Sequence, residues 1–191
     1  MLNNWLQFRP ILDEADRHFL FSCFTNPQEQ YLCFPALRIN TFQDFEIWLQ
    51  ENLRSDFHTF FLITIKSQTV GFIYSYRQSL IDQLAFIAIY LTPPFRQGMI
   101  GSLAMLYFLN YLFSYYPLKR AYMSVYDYNV ESIQNLHEAG FEEAGCLKKA
   151  RYWQGKENDI LYFSIEPLKL QMIFEELNLS RDLQGYVKYE K

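Results

Sequence analysis

The stretch of this 191-residue chain with the clearest chemical potential is Arg96-Gln97-Gly98-Met99-Ile100-Gly101-Ser102. It lies between an uninterrupted apolar run, Leu84 to Leu91, stopped by Pro93 and Pro94, and a segment in which Ile100, Leu103, Ala104, Tyr107, Phe108, Tyr111 and Leu112 recur at the spacing of one helical face. The run reads as a strand covered on both faces, and the segment as a central helix that starts from Gly98 and ends at Pro117. A loop that carries a strand into a helix leaves several main-chain N–H groups unpaired and aimed at one point, where the helix dipole adds partial positive charge. That geometry attracts phosphate. Gly98 and Gly101 let the main chain come close to such a group, and Arg96 and Ser102 can add side-chain donors. The lysine of the nucleoside-triphosphate loop signature is absent, which disfavours a triphosphatase.

A second stretch follows the next apolar run, Tyr122 to Tyr126: Asn129-Val-Glu-Ser132-Ile-Gln-Asn-Leu136-His-Glu-Ala-Gly140-Phe141. Taken together, the two stretches resemble the GNAT N-acetyltransferases, whose acetyl-CoA signature, Arg/Gln-x-x-Gly-x-Gly/Ala, lies between the fourth strand and the third helix. Arg96 opens the match and Ile100-Gly101 closes it; Met99 stands where the first signature glycine is expected, and Gly98 lies one residue early. The segment from Asn129 to Phe141 is similar to the family's N-x-x-S/A-x-x-x-(L/Y)-x-x-x-G-F, in register throughout. Ser132 and Leu136, the opening Leu6-Gln-Phe-Arg-Pro-Ile-Leu-Asp-Glu-Ala-Asp16, and Gly155 to Asp159 before the last strand look closest to the ribosomal-protein and polyamine acetyltransferase branch. The resemblance runs from Trp5 to Pro167.

The resemblance implies an α/β GNAT fold: a central mixed, mostly antiparallel sheet of six to seven strands, flanked by helices, with parallel strands 4 and 5 splayed to admit the pantetheine arm. It implies acetyl-CoA as cosubstrate and no metal. The diphosphate is expected on the main chain of Gln97, Gly98, Met99, Ile100, Gly101 and Ser102, with Arg96 on the flank. Asn129 would bond the pantetheine amides with a minor contribution from Ser132, although an asparagine there also suits a helix cap before Val130. N–H groups of Ile89, Tyr90 and Leu91 would stabilise the oxyanion, an effect commonly worth about 3 kcal/mol.

An alkyl ammonium has a pKa near 10, so only about one molecule in a thousand is nucleophilic at neutral pH and a proton must be taken up. Tyr126 is the first candidate for acid–base work, with Asp82 and His137 behind it and Tyr90 and Tyr128 in reach. Leu136 stands where many members carry a tyrosine that protonates the leaving thiolate, and Phe86 where an acidic residue often lies.

Elements that must position these groups follow from pattern. Leu6 and Phe8 alternate with Gln7 and Arg9 as a short first strand, and Asp13 to Asp16 open a helix. Thr41 to Asp44 resemble a second helix start, with Phe45, Trp48, Leu49 and Leu53 as its apolar face. In the resembled family this region overlies the acceptor pocket, so Glu29, Asp44, Glu46, Glu51 and Asp56 are weighed as attractors of a cationic amine against a solvated face. Thr59 to Lys66 and Val70 to Arg77 form a hairpin about Ser67-Gln68-Thr69, with Gly71 marking a bulge. Glu143 to Tyr152 and Ile160 to Ile165 are the last strand pair, and Asp159 stabilises the turn-rich link between them. Residues 1–167 form the GNAT domain; residues 168–191 are an extension whose Leu170, Ile173, Phe174 and Leu177 give an amphipathic helix packed on that domain.

Half the residues are apolar, and 18 Phe and 15 Tyr fit a core built from large rings. A net charge of −4 offers no footprint for nucleic acid, and no apolar run reaches membrane-spanning length, so a cytoplasmic protein without nucleic-acid or membrane partners is expected. Cys23, Cys33 and Cys146 are too few and too scattered for a disulfide framework or zinc site, and Cys146 reads as a buried structural thiol. The expected activity is direct transfer of acetyl from acetyl-CoA to a primary amine of a small molecule, such as a polyamine, an amino sugar or an amino acid derivative. The alternatives are a protein N-terminal acetyltransferase and a non-catalytic acyl-CoA sensor; a homodimer is left open.

Overall fold

The computed structural model describes residues 5–27, 39–55 and 57–181. Seven strands form one sheet: β1 (Leu6–Arg9), β2 (Phe57–Ile65), β3 (Gln68–Ser79), β4 (Leu84–Leu91), β5 (Arg120–Tyr126), β6 (Glu142–Trp153) and β7 (Lys156–Ile165), in the order β1-β2-β3-β4-β5-β7-β6. Every neighbouring pair is antiparallel except β4 and β5. Those two run parallel and pair only at Leu84–Arg120, Ala85–Ala121 and Phe86–Tyr122, after which Ile87 to Leu91 and Met123 to Tyr126 diverge. The expected α/β architecture, with its mixed sheet and its splay, is the one observed.

Alternation along each strand sends its side chains to opposite faces, and the two faces have different covers. On one lie α3 (Ile100–Tyr115), α4 (Val130–Glu138) and α5 (Pro167–Glu176), packed over Ile73, Ile87, Leu91, Met123, Val125 and Phe163. On the other lie α1 (Glu14–Thr25) and α2 (Phe42–Ser55), packed over Leu62, Phe72, Tyr74 and Tyr90. Rings build this second layer, with Phe24 stacked on Phe72 at 5.1 Å and Phe72 on Tyr90 at 5.1 Å.

The helix α3 is buried without a break from Ala104 to Leu112, so it carries no solvated stripe. Its one buried amide, Asn110, bonds with both atoms to Arg181: Nδ2 donates to the main-chain carbonyl at 2.9 Å, and Oδ1 accepts from the guanidinium Nε at 3.1 Å. In α5, Leu170, Ile173 and Phe174 enter the same core, with Phe174 edge-on to Tyr107 at 5.5 Å. Of the extension expected from residue 168, residues 182–191 lie outside the described part.

At the start of the chain the Asp13 side chain caps α1 by accepting from the Asp16 amide at 2.9 Å. Asp16 itself is buried and takes a two-pronged ion pair from Arg9, at 2.5 and 2.6 Å. Burial pushes its carboxyl up, but Arg9 and the Leu12 and Asp13 amides outweigh burial and hold it below the usual carboxylate range.

Three local readings need correction. The β2–β3 turn is Lys66-Ser67, with φ of 48° and 69°, and Gln68 already pairs with Ile65. Two left-handed residues match the twist of a tight hairpin, a geometry that neither lysine nor serine announces. The irregularity on β3 falls at Val70, beside Gly71, where the register slips between Ile63 and Thr64. Gly71 serves close approach as well, since a Cβ there would sit 2.1 Å from the Tyr90 carbonyl oxygen. Cys146 is exposed rather than buried, because β6 is the sheet edge and no element covers it. Cys23 is buried and reduced, and Cys33 lies outside the described residues. Among the described residues, no helix is long and apolar enough to cross a membrane.

Candidate active site

The divergence of β4 from β5 opens a cleft of about 290 Å³. One side of it is built from Ile87, Ile89 and Leu91 on β4, Met105 on α3, Met123 and Val125 on β5, and Leu136 on α4. The other is built from Phe72, Tyr74 and Tyr76 on β3, Tyr90 on β4, and Ser124 and Tyr126 on β5. The cleft is therefore lined from both faces of the sheet.

Its mouth on the helix side is the β4–α3 junction. A short 3-10 turn, Pro93–Phe95, redirects the chain, Gly98 adopts φ +81°, and Met99 precedes the first helical residue without a side-chain cap. Leu103 is the first amide of the helix start to find a main-chain acceptor, the Met99 carbonyl at 2.9 Å. Among the described residues, the amides from Gln97 to Ser102 donate to no protein acceptor. Arg96, Gly98, Gly101 and Ser102 line the cleft. Arg96 is also tied to the end of β4, donating from Nε to the Leu91 carbonyl at 2.8 Å with its guanidinium 5.3 Å from the Tyr90 ring. The Met99 side chain points to solvent, and that of Ile100 packs on the core, so these two can offer only main chain.

Asn129 takes both of the positions the sequence left open. It lines the cleft, and its Oδ1 caps α4 by accepting from the Ser132 amide at 3.3 Å. Ser132, Glu131 and Asn135 continue the lining along α4. Leu136, 3 % exposed, closes it with an apolar wall that cannot donate a proton.

The acid–base candidates are dispersed. Tyr126 lines the cleft, its ring stacked on Tyr128 at 5.2 Å and covered by the Arg151 guanidinium at 5.1 Å. Burial pushes the Tyr128 phenol up to about 12. The Tyr90 ring is buried in the aromatic layer with Phe72. Asp82 is not brought to the cleft: it closes the turn after β3, accepting from Ser79 Oγ at 2.7 Å. Nor is His137, which faces outward toward Glu143 at 3.3 Å and meets the Phe163 ring edge-on. The carboxylates of α2 lie away from the cleft as well, Glu46 being paired with Arg17 at 3.0 Å; Glu29 and Asp56 fall outside the described residues. Asp159 accepts from Lys148 Nζ at 2.7 Å and from the Lys149 amide at 2.9 Å, holding an irregular step of β6 in which Lys149 has φ +54°.

One pair escaped sequence reasoning. Tyr76 and Ser124 both line the cleft, and their hydroxyls are 3.3 Å apart. Burial raises the Tyr76 phenol above its ordinary value despite the bond with Ser124. Among the described residues, no group of three or more His, Cys, Asp or Glu side chains is placed to hold a metal ion.

A family model described as the acetyltransferase (GNAT) domain matches residues 6–142. The chain belongs to the GNAT acetyltransferase family. As a member it is an acetyl-CoA-dependent N-acetyltransferase, and its fold matches solved structures from the branch that the two motif stretches resemble. The spermidine N-acetyltransferase of Vibrio cholerae, in complex with CoA and spermine, superimposes with a TM-score of 0.78 at 18 % identity, over 87 % of this chain and 98 % of that one. RimL, a ribosomal-protein alpha-N-acetyltransferase in complex with CoA, gives a TM-score of 0.75 at 17 % identity, over 87 % and 96 %. At such identities the likeness is one of fold. No curated protein matches the chain in sequence.

Proposed function

We propose that this GNAT enzyme transfers acetyl directly from acetyl-CoA to the primary amine of a small molecule, a polyamine, an amino sugar or an amino acid derivative. The observation that carries the reading is the row of undonated amides from Gln97 to Ser102, which opens onto a cleft passing through the sheet. Those amides and the α3 dipole bind the diphosphate, and Arg96 adds charge from the flank. The pantetheine arm enters the splay beside Asn129 and Ser132, whose polar groups can bond its amides. The thioester carbonyl then lies against Ile89 to Leu91, where a main-chain N–H of diverging β4 stabilises the oxyanion.

The acceptor comes from the opposite face, past Tyr74, Tyr76 and Tyr126. The amine attacks in its neutral form, its ammonium proton having passed to water. With Leu136 unable to donate, Tyr76 supplies the proton to the leaving thiolate and is restored by the proton that the acetylated nitrogen loses, and Ser124 orients its hydroxyl. A phenol kept neutral by burial is suited to donating rather than accepting. Tyr126, its ring held between Tyr128 and Arg151, shapes the wall. The acidic balance of the chain supports an enzyme with no nucleic-acid partner. The fold likeness to RimL supports a protein N-terminus as a second acceptor class.

The test is a screen of pooled amines and short peptides with acetyl-CoA, read as free CoA thiol and as acetylated product by mass. Amine-dependent thiol release with a small acetylated product is expected. Saturable CoA binding without amine-dependent release would instead make the domain a sensor, and absence of CoA binding would remove the reading altogether.

A further inference from the structure

Arg151, on strand β6 at the exposed edge of the sheet, is half-buried. Its guanidinium lies over Tyr126 at 5.1 Å and Trp153 at 5.7 Å and bonds the Tyr128 hydroxyl, whose ring stacks on Tyr126 at 5.2 Å. The Arg151 Nε atom is buried and has no hydrogen-bond partner. Neighbouring cations on the same strand are matched: Lys148 pairs with Asp159 at 2.7 Å and Lys149 with Glu157 at 2.8 Å. Among the described residues no carboxylate lies within ion-pair distance of Arg151. Asp127, next to Tyr126, turns its Oδ2 to the Asp159 amide at 3.0 Å instead.

A guanidinium withdrawn from water without a counter-charge is costly, and ring faces offset only part of that cost. Stacking on rings occupies the faces of a guanidinium, and the in-plane N–H groups not used on the Tyr128 hydroxyl are left to meet a carboxylate or phosphate. The position matters as much as the chemistry. Tyr126, which Arg151 covers, belongs to the aromatic side of the cleft together with Tyr76 and Ser124. The charged residues lining the cleft are Arg96 and Glu131, both on the helix side, so among the described residues the aromatic side presents no carboxylate to a second ammonium.

We propose that Arg151 binds an anionic group of the acceptor, so that the preferred substrate is an amine that also bears a carboxylate or a phosphate, rather than a polyamine. This inference rests on the acetyltransferase reading above and narrows its substrate class.

The experiment uses the whole chain with saturating acetyl-CoA and matched acceptors that differ in one anionic group: glucosamine against glucosamine 6-phosphate, and phenethylamine against phenylalanine, with spermidine as the polycation. The expected result is a preference of at least tenfold in kcat/KM for the anionic member of one pair. The pair showing it distinguishes phosphate from carboxylate. Arg151→Met should abolish that preference through a raised KM, and Arg151→Lys should restore part of it for phosphate, which accepts a point charge, and less for carboxylate. Melting temperatures of both variants separate this from misfolding. Titration calorimetry of the same acceptors into the CoA-loaded protein gives the answer even without turnover. Equal treatment of matched members, or spermidine as the best acceptor with Arg151→Met neutral, would overturn the inference while leaving the acetyltransferase reading intact. Failure to bind CoA would remove both.

Discussion

The hydroxyls of Tyr76 and Ser124 lie 3.3 Å apart, reaching from β3 to β5 across the intervening strand β4. The contact lies just past the last paired residues of β4 and β5, Phe86 and Tyr122. It places a proton donor at the level where the strands separate. Tyr76→Phe should therefore lower kcat by about a hundredfold, within the range of a single acid–base group, with little change in the KM for acetyl-CoA. Ser124→Ala should have a smaller effect in the same direction. Because burial raises the Tyr76 phenol above 10, the protonated form persists at alkaline pH, and the wild-type kcat should hold past pH 10 where an ordinary tyrosine would begin to fail. A Tyr76→Phe variant with undiminished kcat in a pH–rate series would remove Tyr76 from the mechanism.

Gly71→Ala tests how β4 is held. The new Cβ would meet the Tyr90 carbonyl oxygen at 2.1 Å and Leu91 Cδ2 at 2.8 Å, and main chain cannot yield as a flexible side chain can. Overpacking of this kind costs about 1–3 kcal/mol. The expected outcome is a lower melting temperature together with weaker CoA binding, since the strand that must move lines the cleft through Ile89, Tyr90 and Leu91. Chemical denaturation and CoA titration on the same preparation measure both.

Gly101→Ala should leave both CoA binding and stability intact. Its Cβ would meet Leu91 Cδ1 at an ordinary 3.5 Å, and alanine in a helix is favoured over glycine by about 1 kcal/mol. The fold should be unharmed or slightly firmer, and CoA affinity should be retained, since the last position of the acetyl-CoA signature accepts alanine as well as glycine. A large loss of CoA affinity by calorimetry, without loss of stability, would show that Gly101 does not occupy that position.

The Arg9–Asp16 pair makes acid stability specific. The folded-state pKa of Asp16 is depressed below the unfolded value of 3.8, so its contribution is complete above that pH and is lost as pH falls through the lower folded value. Asp16→Asn leaves Arg9 without its partner and should cost about 3 kcal/mol at pH 7, with the difference from wild type shrinking toward pH 2. Urea unfolding at several pH values would show it.

Much of this was legible in the chain because strand and helix signals there agree with tertiary context. Leu84 to Leu91 is a strand to the residue, and the apolar face from Ile100 belongs to a helix that stops short of Pro117. Gly98 announced a turn, and its φ of +81° explains why the helix begins two residues later than the change of period suggests. The Lys66-Ser67 turn was displaced because nothing in those side chains favours left-handed backbone. Long-range juxtaposition was less accessible. Tyr76 and Ser124 are separated by 48 positions, and Arg151 meets Tyr126 across the intervening strand β7. Proximity in sequence misled in the opposite sense for His137, which neighbours a cleft residue yet faces outward on the helix.

A passage through the sheet also decides the order of events. In the proposed reaction, cofactor and amine approach from opposite sides and meet at the thioester, so neither has to depart before the other arrives. Double-reciprocal plots with both concentrations varied should accordingly intersect, as they do when a reaction proceeds through a ternary complex, and the spent thiol can back out by the route it entered while the product leaves through the aromatic door.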